Sequence, residues 1–162
     1  MDDSSARNPL RIPWLWTLAV ILADQFTKHL AVIWLKPPAG YISVVRDLFN
    51  LCYVENQGAA WGMLAGRQVF LIAFSVVVLA IFFWKRQKIF GNVLGGGWIF
   101  ATLLGGVIGN LIDRARLGYV IDFLDFHWGP HHFPAFNVAD AAICCSALAL
   151  ILMQWVSERR RK

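Results

Sequence analysis

The sequence has few charged residues for its length. Only 15% of its 162 residues are charged and 58% are hydrophobic, with a mean hydropathy of +0.55. A soluble domain carries about 25% charged residues. The core of a soluble domain of this length cannot hold so many apolar side chains. The composition therefore excludes an ordinary soluble protein and predicts one membrane-embedded domain over residues 1–162. The eight tryptophans agree, since Trp favours the membrane–water boundary.

The sequence also has few cysteines, and they lack the spacing of a redox site. Cys52 stands alone, while Cys144 and Cys145 are neighbours in an apolar run. There is no C-x-x-C motif, which argues against a membrane thiol oxidoreductase because that chemistry needs paired reactive thiols. We therefore interpret all three cysteines as small hydrophobic residues.

Motifs of metallopeptidases and serine hydrolases are missing as well. The chain contains neither H-E-x-x-H nor G-x-S-x-G. His127, His131 and His132 form a cluster, but Gly129 and Pro130 prevent a helix from placing two of these imidazoles on one face. The sequence thus predicts a loop at the membrane surface here, with no metal site and no cofactor.

Four apolar segments are long enough to cross a bilayer, which takes about 20 residues. They cover roughly residues 14–35, 66–84, 93–111 and 135–156. Since lipid cannot satisfy backbone hydrogen bonds, each segment must be helical. The fold class predicted is an all-α membrane bundle with four transmembrane helices.

The net charge of +5 comes from basic residues placed according to the positive-inside rule and not along a nucleic-acid-binding face. Most lie at the chain ends and in the second loop, which predicts that both termini are cytoplasmic. These residues are Arg7, Arg11, Lys85, Arg86, Lys88, Arg159, Arg160, Arg161 and Lys162. We expect no nucleic-acid partner.

The two outer loops contain short segments with strand character. The loop over residues 36–65 opens with a Pro-Pro pair and includes two runs rich in aromatic and β-branched residues, at 41–45 and 48–54. The loop over residues 115–134 includes another such run at 119–123. We predict a small extracytoplasmic sheet lying on the outer leaflet and a second outer loop segment.

Two ionisable residues interrupt the first span. Asp24 and Lys28 are one helical turn apart, with the acid on the N-terminal side, the better order for an ion pair. One interpretation is a structural pair that neutralises itself and faces the bundle. The other is that the pair braces or electrostatically tunes a site just above it.

The end of the third span combines small residues with polar ones. Gly105 and Gly109 form a small-x-x-x-small pattern that lets another helix approach closely. Asn110 and Arg114 continue nearly the same face, one turn apart. Helix packing explains the glycines, but it explains the crowding of Asn110, Asp113 and Arg114 at the outer boundary less well.

Two aspartates flank the outer end of the predicted bundle. Asp122 follows an apolar run, and Asp140 stands three residues after Asn137. Asn137 and Asp140 have the spacing of a helix capping box, and Asp122 alone resembles a solvated strand-end acid. Brought together, two carboxylates can share one proton and activate a water molecule, the chemistry of an aspartic protease.

Five motifs, in order along nearly the whole chain, give the sequence a family resemblance. The chain resembles the bacterial type II, or lipoprotein, signal peptidases. The motifs are Asp24-Gln-Phe-Thr-Lys28, Glu55-Asn56-Gln-Gly58-Ala59-Ala60-Trp-Gly62, Gly105-Gly-Val-Ile-Gly109-Asn110-Leu-Ile-Asp113-Arg114, Gly118-Tyr-Val-Ile-Asp122-Phe123 and Phe136-Asn137-Val-Ala139-Asp140.

The resemblance implies an intramembrane aspartyl endopeptidase of the bacterial inner membrane, with its active site near the periplasmic face. It would cleave prolipoprotein signal peptides just before a diacylglyceryl-modified cysteine, and cyclic peptides such as globomycin would occupy the same groove. Membrane lipid would be a partner, and a monomer would suffice. Asp122 and Asp140 would be the catalytic dyad. The implied supporting or binding positions are Asp24, Lys28, Asn56, Gly58, Gly109, Asn110, Arg114, Asn137 and Ala139.

A small transporter or proton-relay protein is the alternative. In that case Asp24, Lys28, Asn110 and the two aspartates would line a path through the bilayer. A path requires polar residues along the full depth of the membrane. In this sequence they gather in the outer half, and the second span has almost none.

Overall fold

The structure is a computed structural model that describes residues 10–37, 40–58 and 63–159. Some sequence features discussed above lie outside these residues. They are Arg7, the Pro38 side of the Pro-Pro turn, the Ala59-Ala60-Trp-Gly62 part of one motif, and the basic residues Arg160, Arg161 and Lys162.

Five helices are described, and three of them are long and apolar enough to cross a membrane. These three are α1 (Trp14–Leu35), α4 (Gly96–Leu117) and α5 (Val138–Arg159). The predicted second span corresponds to α2 (Gln68–Trp84), an apolar helix of 17 residues. A short helix, α3 (Arg86–Phe90), occupies the basic second loop. The helical membrane architecture is thereby confirmed, with three candidate spans.

Helix α4 continues beyond the end predicted at residue 111. It ends at Leu117 because Gly118 adopts the left-handed conformation (φ 78°) and donates its backbone N–H to the carbonyl of Arg114. The last turns therefore contain Asn110, Asp113 and Arg114. These polar side chains are held at fixed angles around a helix and do not begin a loop.

A four-stranded antiparallel sheet covers one end of the helices. Its strands are β1 (Ile42–Val45), β2 (Phe49–Asn56), β3 (Val120–Trp128) and β4 (His131–His132), in that order. The small sheet predicted from the loops is present, and β3 is longer than the run at 119–123. The segment at residues 127–132 was predicted to be a loop, but it forms the β3–β4 hairpin, since the turn at Gly129 and Pro130 lets its flanking residues pair.

Helix α4 packs closely between α1 and α5, as the glycine pattern predicted. A Cβ atom on Gly105 would lie 2.8 Å from the Val20 side chain of α1, and one on Gly106 would lie 2.6 Å from the Ala139 carbonyl of α5. Only glycine permits these approaches. As a result, the C-terminal ends of α1 and α4, the N-terminal end of α5 and strand β3 converge.

Candidate active site

A buried ion cluster lies where α1 and α4 meet. The predicted pair between Lys28 and Asp24 is present, with Nζ and Oδ2 2.9 Å apart, and Lys28 Nζ is also 2.9 Å from Asp113 Oδ2. Lys28 is only 2% exposed and Asp24 is fully buried. Gln25 Nε2 donates to Asp113 Oδ1 at 3.0 Å and to Asp24 Oδ2 at 3.2 Å. The cation is thus held between two carboxylates, so the pair does not simply neutralise itself.

Each carboxylate of this cluster also accepts a backbone N–H, one from α5 and the other from β3. Asp24 Oδ1 accepts the backbone N–H of Ala139 at 2.9 Å, and Asp113 Oδ2 accepts that of Ile121 at 3.2 Å. Ala139 and Ile121 immediately precede Asp140 and Asp122. Gly109 makes room for this arrangement, since a Cβ there would lie 2.5 Å from Asp24 Oδ2.

Asn110 connects the ion cluster to Asp140. Its Oδ1 accepts from Lys28 Nζ at 2.9 Å, and its Nδ2 donates to Asp140 Oδ1 at 2.7 Å. Because the lysine occupies the amide oxygen, the amide nitrogen is left to face the carboxylate. Lys28 thereby sets the orientation of the Asn110 amide.

Asp140 lies in the first turn of α5 and is held by Asn137. The Asp140 backbone N–H donates to Asn137 Oδ1 at 2.9 Å, and the Asn137 backbone N–H donates to Asp140 Oδ2 at 3.3 Å. These reciprocal bonds are the predicted capping box. The capping box occupies only Oδ2 of the Asp140 carboxylate, because Oδ1 accepts from the Asn110 amide.

Asp122 lies within β3 and is almost completely buried, with 1% exposure. Asn137 Nδ2 donates to its Oδ1 at 2.6 Å, and Asn56 Nδ2 donates to its Oδ2 at 2.9 Å. Burial, followed by the negative charge of Asp140, raises the pKa of Asp122 from 3.8 to about 7, although Asn56 and Asn137 oppose the shift. The two acids therefore interact electrostatically, and Asn137 contacts both.

The remaining candidate residues form a rim beside Asp122. Gly58 donates its backbone N–H to Asn56 Oδ1 at 2.9 Å, and Arg114 Nη2 donates to the Gly58 carbonyl at 3.1 Å. Arg114 Nε is buried and has no hydrogen-bond partner among the described residues. All the candidate residues thus belong to one connected region at the same end of the bundle.

The prediction missed Asp113 and Gln25 as members of this region. Asp113 stands one helical turn after Asn110, and Gln25 directly follows Asp24, so a signal was present. In the sequence, however, Asp113 was only one of three polar residues crowding the outer boundary, beside Asn110 and Arg114. Packing of α1 against α4 gives this carboxylate its contacts with Lys28 and Gln25, and the turn after α4 gives it the Ile121 N–H.

Cys52 lies on β2, and His127, His131 and His132 lie on the β3–β4 hairpin. Cys52 has its pKa raised to about 11 by burial and by the charges of Asp125 and Asp122, so its thiol is a poor nucleophile. The rings of His127 and His132 stack with centroids 4.8 Å apart, and His132 Nδ1 is 2.8 Å from Asp125 Oδ1. Within residues 10–37, 40–58 and 63–159, no three His, Cys, Asp or Glu side chains are grouped to hold a metal.

Comparison with known proteins gives consistent results. The profile described as Signal peptidase (SPase) II matches residues 16–156. The chain is 46% identical to the lipoprotein signal peptidase of Syntrophotalea carbinolica over 90% of this chain and 91% of that protein. It is 48% identical to the lipoprotein signal peptidase of Caldanaerobacter subterraneus subsp. tengcongensis over 81% and 87%.

A solved bacterial membrane enzyme, determined by the in meso method, has a similar structure. It superposes with a TM-score of 0.80 at 28% sequence identity, covering 91% of this chain and 90% of the other. The family match covers most of the chain, and the relatives align over nearly their whole length. The chain therefore belongs to the signal peptidase II family of aspartic endopeptidases.

Proposed function

We propose that Asp122 and Asp140 are the catalytic pair of this peptidase. The observation that carries the proposal is the position of Asn137. Its side-chain nitrogen donates to Asp122, and its side-chain oxygen and backbone nitrogen bind Asp140. One residue thereby links the two acids, and each acid receives another amide from a different element.

The enzyme cleaves signal peptides from prolipoproteins, and we assign the steps as follows. One carboxylate is ionised and takes a proton from water as the water oxygen attacks the scissile carbonyl carbon. The other carboxyl donates its proton to the carbonyl oxygen. When the C–N bond of this intermediate breaks, a proton passes to the leaving amine. The raised pKa of Asp122 favours this singly protonated pair near neutral pH.

Asn110, Asn137 and Arg114 serve this reaction by holding groups in place. Asn110 and Asn137 present amide N–H groups to the two carboxylates. Arg114 bonds the Gly58 carbonyl through Nη2, and its buried Nε–H has no partner within residues 10–37, 40–58 and 63–159. We assign this donor to a backbone carbonyl of the bound signal peptide, since buried donors require partners.

The placement of the pair suits a substrate that arrives from the bilayer. Helix α2 would be the fourth span: it is about 25 Å long, close to the bilayer core of about 30 Å, and only Leu71 on it is buried. With both termini cytoplasmic, the pair lies near the periplasmic face and the sheet lies over the outer leaflet. The diacylglyceryl chains of the substrate cysteine then stay in lipid beside the enzyme. A monomer suffices for this reaction, and globomycin would occupy the same groove as the signal peptide.

Single substitutions test the catalytic pair. Asp122→Asn and Asp140→Asn should each abolish cleavage of a lipidated precursor in detergent while precursor binding is retained. Asp47→Asn is the control, because Asp47 is exposed and contacts only Arg46 among the ion pairs of the described residues. Turnover by either dyad variant would exclude the pair. Turnover in excess chelator is also expected, and its loss would instead favour a metal at the histidines.

The transporter alternative requires a different arrangement. A proton path needs titratable groups along the membrane, yet Lys28, Asp24 and Asp113 form one compact cluster, in which Lys28 bonds both carboxylates and each carboxylate also accepts a backbone N–H. Membership in a peptidase family argues against it independently. Proton flux into vesicles that carry the purified protein would support transport.

A further inference from the structure

The ion cluster below the two aspartates has a repeated feature. Asp24, from α1, binds the backbone N–H of the residue before Asp140, and Asp113, from α4, binds that of the residue before Asp122. The two bonds have lengths of 2.9 Å and 3.2 Å. Each aspartate of the pair is thus preceded by a peptide group fixed by a buried carboxylate.

Lys28 and Gln25 join the two carboxylates. Lys28 Nζ is 2.9 Å from both Asp24 Oδ2 and Asp113 Oδ2, and Gln25 Nε2 donates to both acids. Lys28 and Asp24 are nearly or fully buried, and Asp113 is 3% exposed. The positions of the peptide groups before Asp122 and Asp140 are therefore coupled through a single cation.

We infer that Asp113 is a positioning residue for the peptidase reaction. Through its bond to Ile121 N–H it fixes the strand that carries Asp122, and through Lys28 it shares a common anchor with Asp24, which fixes the helix turn that carries Asp140. This inference rests on the proposed catalytic role of the two aspartates. Its consequence is that Asp113 sets the separation of the two carboxyl groups without touching substrate.

A positioning role differs measurably from a role in folding alone. Misplacing a reacting group by about 1 Å can reduce turnover about 100-fold with little effect on binding. The signature is a lower kcat at unchanged KM in protein that remains folded. A purely structural acid would instead reduce the amount of active enzyme and leave kcat per folded molecule unchanged.

Asp113→Asn and Asp113→Ala test the inference, and Asp125→Asn is the matched control. The asparagine keeps one oxygen that can accept the Ile121 N–H but removes the charge facing Lys28, whereas the alanine removes both. Asp125 is likewise a carboxylate that accepts an amide N–H, from Asn50, and it lies 2.8 Å from the His132 ring nitrogen, but its bonds within the described residues reach neither Asp122 nor Asp140. Steady-state cleavage of a lipidated precursor gives kcat and KM. Thermal unfolding and elution profile report the folded fraction.

We expect kcat per folded molecule to fall about 10-fold in Asp113→Asn and about 100-fold in Asp113→Ala, with KM within about twofold of the parent. Asp125→Asn should retain the parent kcat. If folded Asp113→Asn keeps the parent kcat, or if the loss appears only in KM, the inference is wrong. Should Asp113→Ala fail to fold, the asparagine variant decides alone. Activity in Asp122→Asn would overturn the catalytic pair itself, a separate result.

Discussion

The two halves of α4 are held in the fold by opposite kinds of contact. In its N-terminal half, Phe100 packs on Phe90 with ring centroids 5.0 Å apart, and Leu103 and Leu104 complete an apolar cluster. In its C-terminal half, Asn110 and Asp113 are held by hydrogen bonds and ion pairs. One helix thus passes from an apolar core to a polar core.

The difference shows how each kind of packing constrains the chain. Apolar contacts are individually weak and non-directional, so a neighbour of similar volume can replace a lost one. A buried hydrogen-bonded ion cluster is directional, and removing one member leaves its partners unsatisfied. The polar half therefore fixes the orientation of the proposed catalytic groups, while the apolar half holds the helices together.

The most disruptive change should be Lys28→Met, which keeps much of the side-chain length but removes the cation. Asp24 and Asp113 would then be two buried acids that have lost their shared ion-pair partner. Breaking a buried pair costs about 3–5 kcal/mol of stability. Thermal and denaturant unfolding in detergent should show that loss, and precursor cleavage should disappear. A variant as stable as the parent would mean that the cluster is not the constraint described here.

Gly109→Ala should have the next largest effect. Its methyl group would meet Asp24 Oδ2 at 2.5 Å, whereas Gly105→Ala would meet the Val20 side chain at 2.8 Å. Both changes overpack the helix interface and should cost about 1–3 kcal/mol. Only Gly109→Ala displaces the ion cluster, so only this variant should lose kcat beyond its loss of folded protein. Equal kcat values for the two folded variants would contradict the comparison.

The pH dependence of stability should report on the protonation of Asp122. Asp122 has a folded-state pKa of about 7, above its ordinary 3.8, so the native state retains a proton that the unfolded chain releases. The contribution of Asp122 to the free energy of unfolding should be highest below about pH 4 and fall as the pH rises towards 7, by at most about 1.4 kcal/mol per pH unit. Asp122→Asn should flatten this slope. The same slope in both proteins would assign the titration to another group.

The smallest effect should come from Leu104→Met in the apolar half. Leu104 is buried in the Phe90 and Phe100 cluster. Leucine and methionine have similar volumes, so the cost should stay below about 1.5 kcal/mol with kcat unchanged. Like Lys28→Met, this variant introduces a methionine, but it does so in the apolar half of α4. A marked loss of kcat would show that the apolar half also governs the geometry of the site.

Much of the architecture could be predicted from hydropathy and residue type. The first span was predicted at the bounds that α1 has, and the sheet runs were placed within a few residues. The end of α4 was less predictable, because the polar residues 110–114 resemble a loop entrance until Gly118 is seen to terminate the helix. The β3–β4 hairpin was missed because its His- and Pro-rich sequence lacks the alternation of a strand.

For the site, the residue types were predictable but not their connections. The spacing of Asp24 and Lys28 predicted an ion pair, and that of Asn137 and Asp140 predicted a capping box, since both depend on helix periodicity alone. The contact from Asp113 to Ile121 depends on how the chain turns back after α4, which no local pattern encodes.

By itself the sequence determined that this is a membrane protein with helical spans, and that Asp24 pairs with Lys28 and Asn137 with Asp140. Local periodicity and the cost of polar groups in lipid are sufficient for both conclusions. Only the tertiary structure decided that Asn137 joins Asp122 to Asp140 and that Lys28 joins the carboxylates behind them. These contacts connect residues distant along the chain, and their directions arise from helix packing around Gly105 and Gly109.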